Sequence, residues 1–401
     1  MRQLAPRPVV IVAIVTAICL LGDSALYILL PSRLETFAVS PAEAGLILGV
    51  NRYIRVLSNS LAGWVYERLG FRGPFVFAVL IAVVTTAAYG LFTGFWPLFI
   101  AHGVWGVSWS FLRLGGYLAV IDSAGGVTVG RYMGALQGIS RGGSLFAVLI
   151  GGILADAIGG RETLLVFAAI TLTAFVVVPF GRVAPELGRR AAPASDEAKQ
   201  PHALPRADVW RIRTLYAEAA VVWLIVAGIF VSTAGYLVRT LAEDGTAVLG
   251  LVLGVGTLSG LLVGVRWMSD LGLGPVFGHV SDRQGRPRVI LTAMVLAIAA
   301  MLTVAVRPTL LVALPAFTVV FVAGTALMVS LNASIADLAP PERRAAVLSR
   351  YATWADVGSG TGPIIGLPLV TTWGFGWAYG GAAALAVVAA IAYWTVFVRG
   401  R

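Results

Sequence analysis

Apolar residues occur along this chain in long runs that short polar turns separate. Twelve runs are each near the roughly 20 residues that cross a bilayer as a helix. Barrel strands would alternate with a period of two, which the runs do not, and a helix satisfies its backbone groups internally in hydrocarbon. The pattern therefore predicts an all-α membrane protein with twelve transmembrane helices. The runs cover about residues 9–32, 43–66, 74–94, 96–121, 131–156, 162–180, 215–241, 247–270, 289–306, 309–336, 346–370 and 376–397.

One long polar segment divides the runs into two sets of six. It contains Ala191–Glu197, whose small and polar residues favour a flexible linker. We therefore expect an N-terminal six-helix bundle at residues 1–180, a cytoplasmic linker at 181–213 and a C-terminal six-helix bundle at 214–401.

The two halves repeat each other at an offset of 215 residues. Gly63 corresponds to Gly278, and Arg68 corresponds to Arg283. The same offset relates Glu67 to Asp282, Gly70 to Gly285, Asp122 to Asp337, and Gly151 to Gly366. A single offset over six pairs indicates two pseudo-symmetric bundles, an architecture that many secondary transporters have.

The composition is that of a chain solvated by lipid. Only 12% of the residues are charged and 58% are hydrophobic, whereas soluble domains carry roughly 25% charged residues. The single cysteine, Cys19, excludes a disulfide framework and a cysteine-rich metal site. The first run is too long for the apolar part of a signal peptide, so we interpret it as a retained helix.

The basic residues predict how the chain is oriented. With a cytoplasmic N-terminus, 19 of the 29 Lys and Arg residues fall in cytoplasmic segments, three in outer loops and seven inside helices. This distribution follows the positive-inside rule. It predicts a multi-pass protein of the cytoplasmic (inner) membrane with both termini in the cytoplasm. It also explains the net charge of +10 without a nucleic-acid partner.

A polar motif follows the second run of each half. In the second half it reads Gly-x-x-x-Asp-Arg-x-Gly-Arg. The motif residues of the two copies are Gly278, Asp282, Arg283, Gly285 and Arg286, and, in the weaker first copy, Gly63, Glu67 and Arg68. At these positions the motif resembles the signature of the major facilitator superfamily (MFS), and the resemblance spans nearly the whole chain without identifying a subfamily.

The resemblance implies two six-helix bundles around one central cavity. It also implies that the motif residues form a cytoplasmic latch, in which the arginines pair with acids across the seam between the halves. A basic loop that only sets the topology is the alternative. Helix two is expected to lie against helix eleven, and helix five against helix eight.

Ionisable side chains interrupt the apolar runs. Each costs roughly 2.5–3.5 kcal/mol at the bilayer centre, so these side chains are expected to face the interior and to mark a functional path. By the repeat offset, Arg55 corresponds to Asp270 and Arg141 corresponds to Asp356. Combined with the implied helix neighbours, this predicts the ion pairs Arg55–Asp356 and Arg141–Asp270.

A third pair is expected near the outer mouth, between Asp23 and Arg239. Pairs across the seam can open and close as the halves rock, although static ion pairs are the alternative. The candidate proton-coupling or gating residues are Asp23, Arg239, Asp270 and Asp356.

The remaining cationic side chains favour an anionic or zwitterionic small-molecule substrate, because arginine binds carboxylate and phosphate groups well. The alternative is that these arginines bind backbone carbonyls or reach the membrane surface. The candidate substrate-binding residues are Tyr27, Asn51, Arg52, Arg55, His102, Arg113, Arg141, Arg266 and Trp354.

Together these features predict a secondary transporter that works by alternating access and exports a small organic anion or amphipathic compound with proton coupling. An importer or uniporter of an organic anion is the alternative, and a transport-inactive receptor or scaffold is an alternative of another class. The chain has no ATP-type phosphate loop, and its three scattered histidines form no metal cluster or triad. We therefore expect a monomeric non-enzyme in the lipid bilayer, without metal or cofactor.

Overall fold

The computed structural model describes residues 5–124, 129–178, 206–242, 247–248, 251–340 and 343–399. In the first half the helices are α1 (Arg7–Ser32), α2 (Pro41–Leu69), α3 (Arg72–Leu91), α4 (Phe95–Ser123), α5 (Val129–Ile158), α6 (Gly160–Leu172) and α7 (Ala174–Val177), of which the last two form one span.

The second half has the same plan. Its seventh span consists of α8 (Arg206–Val222), a π-helical segment (Trp223–Phe230) and α9 (Val231–Leu241), and a short ladder of β1 (Ala247–Val248) and β2 (Leu251–Val252) follows. The remaining helices are α10 (Val255–Gly272), α11 (Gly274–Gln284), α12 (Arg286–Val306), α13 (Leu310–Leu338), α14 (Arg344–Thr372) and α15 (Phe375–Trp394), with a last π-helical turn at Thr395–Arg399. The predicted twelve-span fold of two six-helix bundles is confirmed.

Two boundaries differ from the sequence prediction. Helix α8 begins at Arg206, within the segment assigned to the linker, and residues 179–205 lie outside the described residues. The eighth span continues through α11 to Gln284, so most of the second polar motif is helical. The helix breaks at Gly285, whose φ of 88° suits glycine, and its counterpart Gly70 breaks the first copy at a φ of 70°.

Nine helices of the described chain are long and apolar enough to cross a membrane. The other three spans, α2, α10 with α11, and α14, carry the charged residues Arg52, Arg55, Arg266, Asp270 and Asp356. These three spans also lie at the seam, where α2 packs against α14 and α10 packs against α5. Charged residues of the apolar chain therefore lie where the two bundles meet.

The seam is closed at one side of the membrane. We call the side where α1 begins and α15 ends the terminal side, and the other the opposite side. Near the opposite side, a Cβ added to any of the glycines Gly45, Gly49, Gly152, Gly256 or Gly260 would overlap a backbone carbonyl of the other half.

Near the terminal side, by contrast, several glycines of α5 have open space around them. A Cβ added to Gly130, Gly134, Gly138 or Gly142 of α5 would meet nothing within 4 Å. The two bundles are thus packed together on the opposite side and separated on the terminal side.

Candidate functional site

A cavity lies at the seam, at mid-depth of the bundles, with about 900 Å³ of empty space when the adjoining open solvent is included. Both halves contribute to its wall, the first through α1, α2, α4 and α5 and the second through the seventh and eighth spans. Its lining residues are Leu20, Asp23, Ser24, Tyr27, Arg52, Arg55, Trp109, Gln137, Ser140, Arg141, Ser144, Trp223, Ala227, Val231, Val263, Arg266 and Trp267.

Three arginines of the lining stand beside tryptophan rings. The Cζ atom of Arg55 lies 5.2 Å from the ring centroid of Trp109. Arg266 and Arg141 lie 4.9 Å and 5.6 Å from the ring centroid of Trp267. These distances suit cation–π contacts, so the cavity combines positive charge with flat apolar faces.

The predicted pair Arg141–Asp270 is present. Nη1 of Arg141 donates to Oδ2 of Asp270 over 2.8 Å, and the hydroxyl of Thr325 donates to Oδ1 over 2.9 Å. Because α5 carries the arginine and α10 the aspartate, this ion pair joins the two halves.

The pair Arg55–Asp356 is also within ion-pair distance, but it is looser and shared. Nη1 of Arg55 lies 3.9 Å from Oδ1 of Asp356, and Nη1 of Arg52 lies 3.8 Å from the same oxygen. Both distances exceed a hydrogen bond. One carboxylate therefore faces two guanidinium groups without binding either tightly.

The predicted pair Asp23–Arg239 is wrong. Arg239 instead donates to Glu35 over 2.6 Å. Helix α9 ends at Leu241, so Arg239 lies in its last turn near the membrane surface, whereas Asp23 lies well inside α1. Helices at equivalent positions of the repeat end at different depths, which the sequence offset does not reveal.

Asp23 belongs instead to a buried network of the first half. Oδ1 of Asp23 accepts a hydrogen bond from Nδ2 of Asn51 over 3.0 Å and lies 4.0 Å from Nε2 of His102. His102 is fully buried behind the cavity wall, with Nε2 3.1 Å from Nδ2 of Asn51 and Nδ1 3.0 Å from the hydroxyl of Tyr89. Asn51 and His102 therefore reach the cavity only through Asp23.

Besides Asn51 and His102, two further candidate residues do not line the cavity. Trp354 is 47% exposed, because it is two positions from Asp356 on α14 and lies on a different face of the helix. Arg113 is half-buried on α4 and also lies outside the lining. Contrary to the prediction, these two residues therefore do not face a substrate in this cavity.

The sequence missed several lining residues, among them Trp223, Trp267 and Gln137. Trp267 follows Arg266 directly in the chain, which was an available signal. Trp223 begins the π-helical segment, and a change of helical pitch is not readable from hydropathy.

The motif residues of the expected latch lie at the terminal side. Arg286 binds Asp337 over 2.7 Å and lies 3.6 Å from Asp282, all within the second half. In the first half, Arg68 stands over the ring of Trp64 at 4.2 Å. Within the part of the chain that the structure describes, these arginines make no ion pair across the seam, contrary to the expectation, because the halves are apart at this side.

Comparison with known proteins decides the family. A family model described as Major Facilitator Superfamily matches residues 12–272 and 257–401. The chain belongs to the major facilitator superfamily. Both matched segments together cover nearly the whole chain, so the chain has the fold of a family of transporters and not of a family of enzymes.

Curated relatives of this MFS chain are similar over most of their length. "Multidrug resistance protein MdtG" of Enterobacter lignolyticus (strain SCF1) is 22% identical over 363 residues, which covers 86% of this chain and 81% of the relative. The protein of the same name from Citrobacter koseri (strain ATCC BAA-895 / CDC 4225-83 / SGSC4696) is 21% identical over 387 residues, covering 93% and 90%.

Solved structures support the MFS fold. A POT family transporter in complex with 5-aminolevulinic acid superposes with a TM-score of 0.79 at 12% identity, covering 98% of this chain and 95% of that chain. The nucleoside transporter NupG gives a TM-score of 0.79 at 13% identity, covering 98% and 100%. At these identities the likeness concerns the fold alone, and the chain is a multi-pass integral membrane protein.

Proposed function

We propose that this MFS protein exports an amphipathic organic anion through the central cavity by alternating access. The observation that carries the proposal is a surplus of buried arginine donors at the cavity wall. Four arginines line it, whereas the acids at or beside it are the three aspartates Asp23, Asp270 and Asp356. With all of them ionised, one positive charge remains uncompensated.

Arg266 is the clearest unsatisfied donor. It is 7% exposed, its Nε has no hydrogen-bond partner among the described residues, and none of the described acids lies within 4 Å of its guanidinium group. The Nε atoms of Arg52 and Arg55 are likewise buried without an acceptor in that part of the chain. Buried polar groups are normally hydrogen-bonded, so a bound anion that supplies acceptors to these three side chains accounts for them.

The tryptophans of the wall support the amphipathic part of the proposal. Trp109, Trp223 and Trp267 offer flat faces to the same cavity that holds the arginines. A ligand with one acidic group and an apolar ring system can use both. Compounds of this kind fit the name of the curated relatives, which are multidrug resistance proteins.

The orientation follows from the positive-inside rule. Basic residues such as Arg283 and Arg286 cluster at the terminal side, which we assign to the cytoplasm of a bacterial inner membrane. The bundles are separated on that side. The described conformation is then the one that accepts substrate from the cytoplasm, as an exporter requires, while import or uniport of the anion remains the rival.

Transport assays in proteoliposomes test the proposal. Counterflow of a labelled aromatic monocarboxylate is expected for the wild type, and Arg266→Gln is expected to weaken its affinity about 10- to 100-fold, as for the loss of a charged hydrogen bond. The same change should leave the melting temperature unchanged or higher, because it removes a buried unsatisfied donor. Arg307→Gln, on an exposed loop residue, is the matched control with unchanged affinity.

Two outcomes would contradict the proposal. Equal affinity in the Arg266→Gln variant would remove the anion assignment. Binding without counterflow would favour the transport-inactive receptor.

A further inference from the structure

Three buried oxygen atoms of the second half have no hydrogen-bond partner within the described chain. They are Oε2 of Glu218 on α8, Oγ of Ser330 on α13 and the hydroxyl oxygen of Tyr351 on α14. The three residues are 1%, 0% and 4% exposed, and none of them lines the central cavity. Because buried polar groups are normally hydrogen-bonded, these atoms indicate a site with a function of its own.

The helices bring the three side chains to one region. Val222 of α8 and Leu327 of α13 line the same small apolar pocket. Glu218 precedes Val222 by four residues and Ser330 follows Leu327 by three, and the two helices run in opposite directions. Both side chains therefore lie about one helical turn from that pocket, toward the terminal side. Helix α14 packs against α8, and the charge of Glu218 acts on the hydroxyl of Tyr351.

Glu218 has no basic partner in the described part of the chain. None of the ion pairs found there includes it. On the same helix, Arg211 lies 3.6 Å from Asp208, nearer the end of α8. On α14, Arg350 precedes Tyr351 but is exposed. A carboxylate in a protein interior is costly unless a positive charge neutralises it.

A bound cation accounts for the three atoms better than a proton does. A proton on Oε2 of Glu218 would have no acceptor among the described residues, and both hydroxyl oxygens would stay without partners. A cation between them is neutralised by the carboxylate and coordinated by the hydroxyl oxygens, since hard cations take oxygen ligands. One carboxylate offsets one positive charge, and the described residues include no group of three His, Cys, Asp or Glu side chains that could hold a metal ion. The charge therefore fits a monovalent ion.

We infer that Glu218, Ser330 and Tyr351 form a sodium-binding site inside the second bundle. The inference does not depend on the proposed function. Sodium is favoured over potassium because the atoms are fully enclosed, which suits the smaller ion. The sequence predicts no metal, because one carboxylate and two hydroxyls on three separate helices form no recognisable motif.

The position of the site makes the ion a resident of the bundle. All three side chains belong to the second half, so rocking of the two halves does not take the site apart. The ring of Tyr351 packs edge-on against Trp223, with ring centroids 6.0 Å apart and an interplanar angle of 84°. Trp223 begins the π-helical segment and lines the central cavity. The ion therefore supports the cavity wall and is not exchanged in each transport cycle.

Sodium binding to the purified full chain tests the inference. The protein is dialysed into choline chloride and then titrated with radioactive sodium at mildly alkaline pH. One ion per chain is expected, displaced by unlabelled sodium but not by choline. The melting temperature should rise by about 3–5 °C when sodium is about 100-fold above its Kd. Potassium should produce a smaller rise.

Variants identify the ligands. Glu218→Gln keeps the shape of the side chain and is expected to abolish both the binding of sodium and its effect on the melting temperature. Ser330→Ala and Tyr351→Phe each remove one hydroxyl and should weaken the affinity about 10-fold, as for the loss of one charged contact. Ser334→Ala is the matched control, because the hydroxyl of Ser334 on the same helix already donates to the carbonyl of Ser330 over 2.8 Å. This control should bind sodium like the wild type.

Four outcomes would overturn the inference. The first is a wild type that binds no sodium and melts at the same temperature in sodium and in choline. The second is an unchanged affinity in Glu218→Gln or, if that variant does not fold, in both Ser330→Ala and Tyr351→Phe. An equal loss in Ser330→Ala and Ser334→Ala would show that packing and not coordination was lost. Uptake of labelled sodium together with a transported solute would contradict a resident ion.

Discussion

Single residues make the two seam ion pairs unequal. Asp270 is hydrogen-bonded by both Arg141 and Thr325. Asp356 lies between Arg52 and Arg55 at distances beyond a hydrogen bond. The repeat therefore keeps a charged residue at each of these positions, with its sign exchanged between the halves, but not the tightness of the contact. The tighter pair holds the halves together, and the looser one leaves its arginines available to a ligand.

Exchange of charges tests the tight pair. Arg141→Asp and Asp270→Arg should each destabilise the protein by about 1–3 kcal/mol, below the full cost for a buried pair because Arg141 is 40% exposed. The double exchange should recover part of the loss, since the two charges again face each other. Thermal unfolding of the four proteins in detergent gives the coupling energy.

A coupling energy of zero in that cycle would show that the contact carries no interaction free energy. Thr325→Val provides a milder check, because it removes only the second hydrogen bond to Asp270.

The sequence could predict which charges meet at mid-depth, but not those near helix ends. Arg141 and Asp270 lie many residues from their helix ends, so the duplication and the helix neighbours place them at one depth. Arg239 lies two residues before the end of α9, where a small change of helix length moves it to the surface. The sequence predicts that Asn51 binds substrate, but side-chain packing, which the sequence does not show, gives it Asp23 and His102 as partners.

At the scale of elements, α5 and α10 close the seam on the opposite side through an unusual helix cap. The carboxylate of Asp156, on α5, accepts hydrogen bonds from the backbone N–H groups of Gly256 and Thr257 over 2.8 Å and 2.7 Å. It thus caps the N-terminus of α10 in the other half, where the helix dipole favours an acid. Arg33 donates to the same carboxylate over 2.8 Å.

Removal of this cap is expected to open the opposite side. Asp156→Ala should weaken the closed seam by about 1–2 kcal/mol, as for the loss of a helix cap. Labelling of a cysteine at Val231, a cavity residue, by an impermeant maleimide added outside cells should therefore increase in a Cys19→Ser background. An unchanged labelling rate would mean that the cap does not hold the seam.

Glu35→Ala is the matched control for the cap. Glu35 also bridges the halves, through Arg239, but its side chain is 86% exposed. Exposed ion pairs contribute about 0–1 kcal/mol, so this variant should label like the parent.

The elements themselves were predictable, but their breaks were less so. Apolar runs gave the spans, and Gly70 and Gly285 mark the ends of α2 and α11 through their positive φ. The π-helical segment at Trp223–Phe230 has the same hydropathy as an α-helix, so no pattern of apolar residues distinguishes it. The role of Asp156 cannot be predicted from the sequence, because two of its partners are backbone N–H groups of a helix in the other half.

At the scale of the whole molecule, the duplication allows the seam to be predicted but not the side on which it is closed. Two copies of one bundle predict a shared seam with charged residues at its centre. They do not predict which side of the seam is closed, because both sides use the same helices. The closed opposite side rests on glycine contacts such as Gly152 with Gly256, and small residues occur throughout this chain.

The charge carried per transport cycle connects the cavity to the energy that drives export. A monoanion that leaves the cell alone moves one negative charge outward, which an inside-negative potential favours by about 2.3 kcal/mol per 100 mV. Export of the anion alone should therefore run faster as the inside potential becomes more negative. Proteoliposomes with potentials set by potassium and valinomycin measure this directly, using labelled naphthoate as the aromatic monocarboxylate. Arg307→Gln should respond to the potential like the wild type, because Arg307 is an exposed loop residue. Efflux that does not depend on the potential would contradict export of the anion as the only charge moved.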